Sequence, residues 1–165
     1  MGGGIAVFNQ PSVKGEVEFI SKGNGTEVRT LFTQLPHSTR EHGFHIHRAG
    51  DLRGEGCAGL CEHFHKGHPK NHGGPPHAHF KGERHTGDLG NIVQNNPYTF
   101  FLKGVRVEEL FGRSVIVHED ADDYGKGDHE DSLTTGHSGK RVGCAIIGRS
   151  RTCNKKRKTV KVKKH

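Results

Sequence analysis

Apolar and polar residues alternate with period two in several short runs: Val17 and Phe19 in GEVEFI, Phe44 and Ile46 in GFHIH, Val105 and Val107 in GVRVEEL. Successive side chains of a strand point to opposite faces, so each run predicts a strand with one face on a core. The runs IAVF, EVRTLF, YTFFL, SVIVH and VGCAII add shorter or more buried strands. Turn signals such as Gly23-Asn24-Gly25, Asn95-Asn96-Pro97 and Phe111-Gly112 separate them. No stretch keeps a 3.6-residue amphipathic rhythm beyond one or two turns. About eight short strands predict an all-β sandwich or flattened barrel. Residues 49–89 and 120–140 break the rhythm. Loops beyond about 12–15 residues in a compact domain are functional or disordered.

Composition fits this reading. A chain of 165 residues suits one domain, and 30% hydrophobic residues with 25 glycines suits turn-rich β structure. The formal charge of +7 divides unevenly. Residues 149–165 hold nine Lys and Arg and no acid, leaving 16 basic against 18 acidic residues, a net of −2. A mildly acidic domain, 1–149, is therefore expected to precede a basic tail, 150–165. Such a tail is a solvated, disordered appendage or a contact for nucleic acid through Lys155-Lys156-Arg157-Lys158. No apolar run reaches membrane-span length, and MGGGIAVFNQP lacks a secretory pattern, so a cytoplasmic protein without a membrane partner is expected.

The chemistry concentrates between His42 and Asp88, which holds most of the fifteen histidines. Neutral imidazole is the commonest metal ligand and suits zinc and copper. In GFHIH, alternation puts His45 and His47 on one face and Phe44 and Ile46 on the other. H-x-H alone is weak evidence, but His118, ending SVIVH, offers a third imidazole from another strand. His63, His72, His85 and Asp88 follow within loop. Three nitrogens and one carboxylate oxygen complete a tetrahedral zinc shell without an open position, as structural zinc sites have.

Together these residues resemble the copper–zinc superoxide dismutase family. The resemblance rests on GFHIH with Gly50-Asp51, Gly56-Cys57, His63-Phe64, His72-Gly73-Gly74-Pro75 and Arg84-His85-x-Gly-Asp-Leu-Gly-Asn91. It continues through Val117-His118-Glu119-x-Ala-Asp-Asp123, Gly125-Lys126-Gly127, Thr135-Gly136, and Arg141-x-x-Cys144 with Ile147-Gly148. It implies an eight-stranded antiparallel Greek-key barrel or sandwich with a long metal-binding loop and a charged electrostatic loop. It implies copper at His45, His47, His63 and His118, and zinc at His63, His72, His85 and Asp88, one of each per subunit. His63 would bridge them, and copper cycling between its two oxidation states would convert superoxide to dioxygen and hydrogen peroxide. Asp122 matches the carboxylate that hydrogen-bonds a ligand of each metal, here His45 and His72. Arg141 matches the arginine that draws in the anion, with Lys140 beside it and Glu130 and Asp131 shaping the approach. Cys57 and Cys144 match the family disulfide. A copper metallochaperone and a homodimer are the implied partners, and His42 is implied to be structural.

The sequence also departs from the family pattern. Cys61, four residues after Cys57, is an alternative partner for Cys144 or a free thiol, and Cys153 in the tail is expected to be free. The interval from His72 to His85 is longer than in relatives, with the excess in PHAHFK. His65, His68, His77 and His79 match no family ligand and are expected to be solvated or to capture accessory metal. Residues 91–117 look shortened by one hairpin. Thr134 stands where relatives often carry lysine, Ala49 where a larger side chain is common at the dimer contact, and Arg48 where an acid is common. The alternative function is a non-catalytic copper/zinc binding or delivery protein on the same fold. Alternative locations are the nucleus, through the tail, or a host cytoplasm or virion, since large DNA viruses encode family members.

Overall fold

Residues 2–77 and 80–151 are described by a computed structural model of the chain. The first sheet contains β1 (Gly4–Gln10), β2 (Val13–Lys22), β3 (Gly25–Gln34), β6 (Tyr98–Lys103) and the two-residue β9 (Gly148–Arg149), in the order β6-β3-β2-β1-β9. The second contains β4 (Glu41–His47), β5 (Asp88–Val93), β7 (Ser114–His118) and β8 (Arg141–Ile146), in the order β5-β4-β7-β8. Every pairing is antiparallel. The chain crosses between sheets from β3 to β4, β5 to β6, β6 to β7 and β8 to β9, which makes a sandwich.

Alternation sorts side chains as the pattern predicts. In β2, Val17 and Phe19 are fully buried while Glu16 and Glu18 are exposed. Phe8, Phe32, Phe44 and Phe100 form a chain of ring contacts through the core, with centroids 4.9, 5.8 and 6.2 Å apart. Aromatic pairs in such offset and edge contacts add to the area they bury.

Two elements differ from expectation. GVRVEEL is a turn and a short 3-10 helix, Val107–Glu109, rather than a strand. Val105 and Val107 are nevertheless buried. Gly104, at φ +72°, turns the chain, and the Glu109 carboxylate accepts from Arg106 N–H at 2.8 Å and closes the helical turn. Conversely, DLGNIV forms β5, which no alternation announced. The strand exists because β4 supplies its pairing partner, with His45 opposite Asp88 and Gly43 opposite Asn91. The two arrhythmic segments become loops, 48–87 between β4 and β5 and 119–140 between β7 and β8, with only the single helical turn α1 (Ser132–Thr135) in the latter.

Candidate metal centre

Strand β4 delivers His45 and His47 to the outer face of the second sheet, opposite Phe44 and Ile46, as period two requires. Both histidines are nonetheless buried, because the two long loops fold over that face. His118 arrives from the end of β7, the neighbour of β4. Beyond the end of β5, residues 62–64 run beside β4: Arg48 N–H donates to the Glu62 carbonyl at 3.0 Å and Phe64 N–H to the Ile46 carbonyl at 2.8 Å. This short ladder sets His63 against His47.

Two clusters result, and they share His63: His45, His47, His63 and His118 in one, His63, His72, His85 and Asp88 in the other. In the first, His45 Nδ1, His47 Nε2, His63 Nε2 and His118 Nε2 are buried and have no hydrogen-bond partner. Orphaned buried nitrogens cost free energy unless something accepts their lone pairs. Three opposite ring nitrogens are engaged: His45 Nε2 donates to Asp122 Oδ2 at 2.6 Å, His47 Nδ1 to the Cys61 carbonyl at 2.8 Å, and His118 Nδ1 to the Gly139 carbonyl at 3.0 Å. Each ring is thereby held in the tautomer that turns a bare lone pair toward its neighbours. That is the donor set a copper ion needs.

In the second cluster, Asp88 Oδ1 lies 2.8 Å from His63 Nδ1, 3.0 Å from His72 Nδ1 and 3.4 Å from His85 Nδ1. His63 Nδ1 and His72 Nδ1 are 3.3 Å apart. Ligand atoms placed tetrahedrally about 2.0–2.1 Å from a zinc ion would be about 3.3 Å apart. The spacing fits zinc.

Electrostatics separates the clusters. Burial first, then the charge of neighbouring His63, holds His45 and His47 well below the usual imidazole range. Burial likewise brings His118 down to about 4, and it lowers His63 against the pull of Asp88. The first cluster is thus a set of neutral imidazoles. Burial also opposes protonation of His72, but hydrogen bonds to Asp122 and Asp88 outweigh it and raise the ring to about 9. Burial opposes ionisation of Asp88, yet the contacts from His63, His72 and His85 hold its carboxyl far below the usual range. Asp122, lifted by burial to about 6, receives His45 on Oδ2 and His72 on Oδ1, the latter at 2.8 Å.

Asp122 is itself gripped by a residue to which the sequence assigned no role. Asn91 Nδ2 donates to the Asp122 carbonyl at 2.9 Å, and Asp122 N–H donates back to Asn91 Oδ1 at 2.7 Å. Its only sequence signal was its place three residues after Asp88 in GDLGN. Gly136 lets the charged loop close over this pair, since a Cβ there would meet Asp122 Oδ1 at 2.2 Å and His72 Nε2 at 2.5 Å.

Arg141 opens β8, where its backbone pairs with His118. Its guanidinium donates to the carbonyls of Cys57, Ala58 and Cys61 at 3.0, 3.2 and 2.8 Å. Its charge is felt at His47 and His118, where it further disfavours protonation. Lys140 and Glu130 are exposed, whereas Asp131 receives His137 at 2.7 Å. Cys57 and Cys144 form a disulfide with Cα atoms 5.8 Å apart, while Cys61 is an exposed free thiol. Arg48, where an acid is common in the family, pairs with Glu62 at 3.1 Å on the surface. His42 is buried between the carbonyls of His118 and Pro36, 2.9 Å from each. His65 is half-buried: Nδ1 accepts from Thr86 N–H at 3.1 Å and Nε2 donates to the His68 carbonyl at 2.7 Å. His68 and His77 are exposed; His79, Cys153 and the basic run 155–158 lie outside the described residues.

A two-sheet antiparallel sandwich carrying adjoining clusters that share one imidazole defines a metalloprotein with a paired centre. The family model for copper/zinc superoxide dismutase (SODC) matches residues 13–147. A superoxide dismutase [Cu-Zn] of Paramecium bursaria Chlorella virus 1 is 40% identical over 151 residues, 87% of this chain and 76% of the viral protein. Superoxide dismutase [Cu-Zn] 2 of Brassica juncea is 41% identical over 157 residues, 90% of this chain and 98% of the plant protein. The crystal structure of the clock protein EA4 superposes with a TM-score of 0.73 at 39% identity, covering 88% of this chain and 93% of that one. The chain belongs to the copper/zinc superoxide dismutase family, whose cofactors are copper and zinc.

Proposed function

We propose that this protein disproportionates superoxide, converting two superoxide ions and two protons to dioxygen and hydrogen peroxide. The observation that carries the reading is His63, with Nδ1 inside the three-nitrogen, one-carboxylate cluster and Nε2 orphaned inside the all-imidazole cluster. His45, His47, His63 and His118 would hold copper, and His63, His72, His85 and Asp88 would hold zinc. Copper so bound supplies a one-electron couple and zinc a redox-inert cation.

The protein's own groups do the rest. His63 Nε2 has one lone pair, so it would serve by turns as a copper donor and as the atom that takes up a proton and gives it to the substrate, while Nδ1 keeps the ring oriented. Asp122 fixes the tautomers of His45 and His72 together, so a disturbance of one cluster reaches the other. Arg141, anchored on three carbonyls, presents a fixed positive charge to an incoming anion on a mildly acidic domain. A local positive site in low-dielectric surroundings raises anion on-rates by about 10–1000-fold whatever the net charge. The test is superoxide decay with protein loaded with copper and zinc, against the metal-free protein. Strong acceleration by the loaded protein and none by the metal-free protein is expected; bound metals without acceleration would instead fit a delivery protein.

We also propose a homodimer, a copper metallochaperone as the loading partner, a cytoplasmic location, and a division into the domain 1–149 and the tail 150–165. Among the described residues no helix is long and apolar enough to cross a membrane. Sedimentation checks the dimer, copper loading with and without a chaperone checks the second partner, and cell fractionation checks the location. Polynucleotide binding before and after deletion of 150–165 checks the tail.

A further inference from the structure

Phe80 stands in the loop between His72 and His85, and it is neither one of the proposed metal ligands nor a disulfide cysteine. Its half-buried ring leans on glycine backbone. A Cβ added at Gly74 would meet the ring at 2.6 Å, at Gly73 at 2.8 Å and at Gly82 at 3.0 Å. The Gly73–Gly74 peptide beneath the ring directly follows His72, and Gly73 N–H donates to Asp88 Oδ2 at 2.9 Å. Two members of the second cluster therefore depend on the backbone that the ring presses. The Lys126 ammonium lies 5.7 Å from the ring centroid, within cation–π reach. Lys126 belongs to the charged loop, whose Leu133 carbonyl accepts from His72 N–H at 2.9 Å. Phe80 thus joins the two long loops beside His72, at the edge of a cavity of about 500 Å³ that Tyr124 and Leu133 also line.

We infer that Phe80 is a positioning residue for zinc, bracing the Gly73–Gly74 peptide so that His72 and Asp88 stay in place and the ion is retained. The inference rests on the assignment of zinc to His63, His72, His85 and Asp88. For zinc to leave, His72 or Asp88 must swing away. That movement displaces the peptide and breaks the ring's contacts with it. Loss of the ring lowers the barrier on the zinc side first; the first cluster, held also by the Cys61 and Gly139 carbonyls, feels it only through His63 and Asp122.

The experiment measures zinc and copper release to a chelator from the fully loaded protein, for wild type, Phe80→Leu and Phe80→Ala. Zinc release from Phe80→Ala is expected to be faster by at least about tenfold, the low end for groups that support metal ligands. Phe80→Leu should fall between, and copper release should change less than zinc release in both. Should Phe80→Ala fail to fold, faster zinc release from Phe80→Leu supports the inference and equal release overturns it. Zinc release from Phe80→Ala at the wild-type rate overturns the inference, as does equal acceleration for both metals, which would mean general loosening. Wild-type protein that takes up no zinc at all overturns the zinc assignment, and the inference with it.

Discussion

Replacing Asp122 by asparagine keeps the volume of the side chain and removes its charge. The carboxylate accepts His45 Nε2–H at 2.6 Å, His72 Nε2–H at 2.8 Å and Tyr124 N–H at 2.7 Å, and it is buried. An amide offers one oxygen and one NH2 group, so an NH2 at Oδ2 faces His45 Nε2–H, and one at Oδ1 faces Tyr124 N–H and leaves His72 only its longer, 2.9 Å contact with the oxygen. Either the contact that faces the NH2 is lost or the ring changes tautomer and withdraws its lone pair from the metal. A hydrogen bond to a charged group contributes about 1.5–3 kcal/mol, or roughly ten- to a hundredfold in affinity. Asp122→Asn should therefore weaken zinc or copper by that factor, whichever ligand faces the NH2, and weaken the other less. Competition titrations with chelators of known affinity read both metals on one sample, and thermal unfolding of the metal-free protein checks that the sandwich survives. The exposed Asp128→Asn is the control. Wild-type affinities for both metals in a folded Asp122→Asn protein would refute the reasoning.

Other perturbations follow from the same contacts. Arg141→Ala should slow superoxide decay about tenfold or more and flatten its dependence on ionic strength while metal content stays constant; an unchanged salt response would remove the steering role. Cys57→Ser opens a loop with a sequence separation of 87, and chain entropy then predicts a loss of about 4–5 kcal/mol of stability. Denaturant titration measures this, with a loss below about 1 kcal/mol, a quarter of that expectation, counting against it. Zinc affinity should climb with pH, because the proton that His72 holds up to about 9 in the metal-free protein must leave before the ring can bind. The slope should approach about tenfold per pH unit between the ordinary imidazole range and about 9, then flatten; a flat profile from pH 7 would show that no such proton is displaced.

Legibility in the sequence followed local physics. Val17, Phe19, Phe44 and Ile46 were readable as core because period two is a property of the strand itself. The same alternation failed at Val105 and Val107, where a turn and a 3-10 helix bury both residues without a strand. Strand β5 was invisible because three of the first four residues of DLGNIV are Asp, Gly and Asn, types depleted in strands. They occupy that strand for reasons of the site: Asp88 faces three imidazoles and Asn91 grips Asp122. Likewise, no local pattern announced that both nitrogens of His65 meet the backbone of Thr86 and His68.

Within the chain, local sequence determined that His45 and His47 share a face, because only the backbone period is needed for that. Motif order, through its resemblance to a family, indicated which other residues belong with them. Tertiary structure decided the geometry that makes the set a metal centre. Which nitrogen of each ring is left bare depends on the carbonyls of Cys61 and Gly139 and the carboxylate of Asp122, far from His47, His118 and His45 along the chain. Cys57 rather than Cys61 meets Cys144 because the loop lays Cys57 beside β8, where Arg141 binds its carbonyl. These are contacts between distant segments, set by sheet register and loop closure, and no local pattern encodes them.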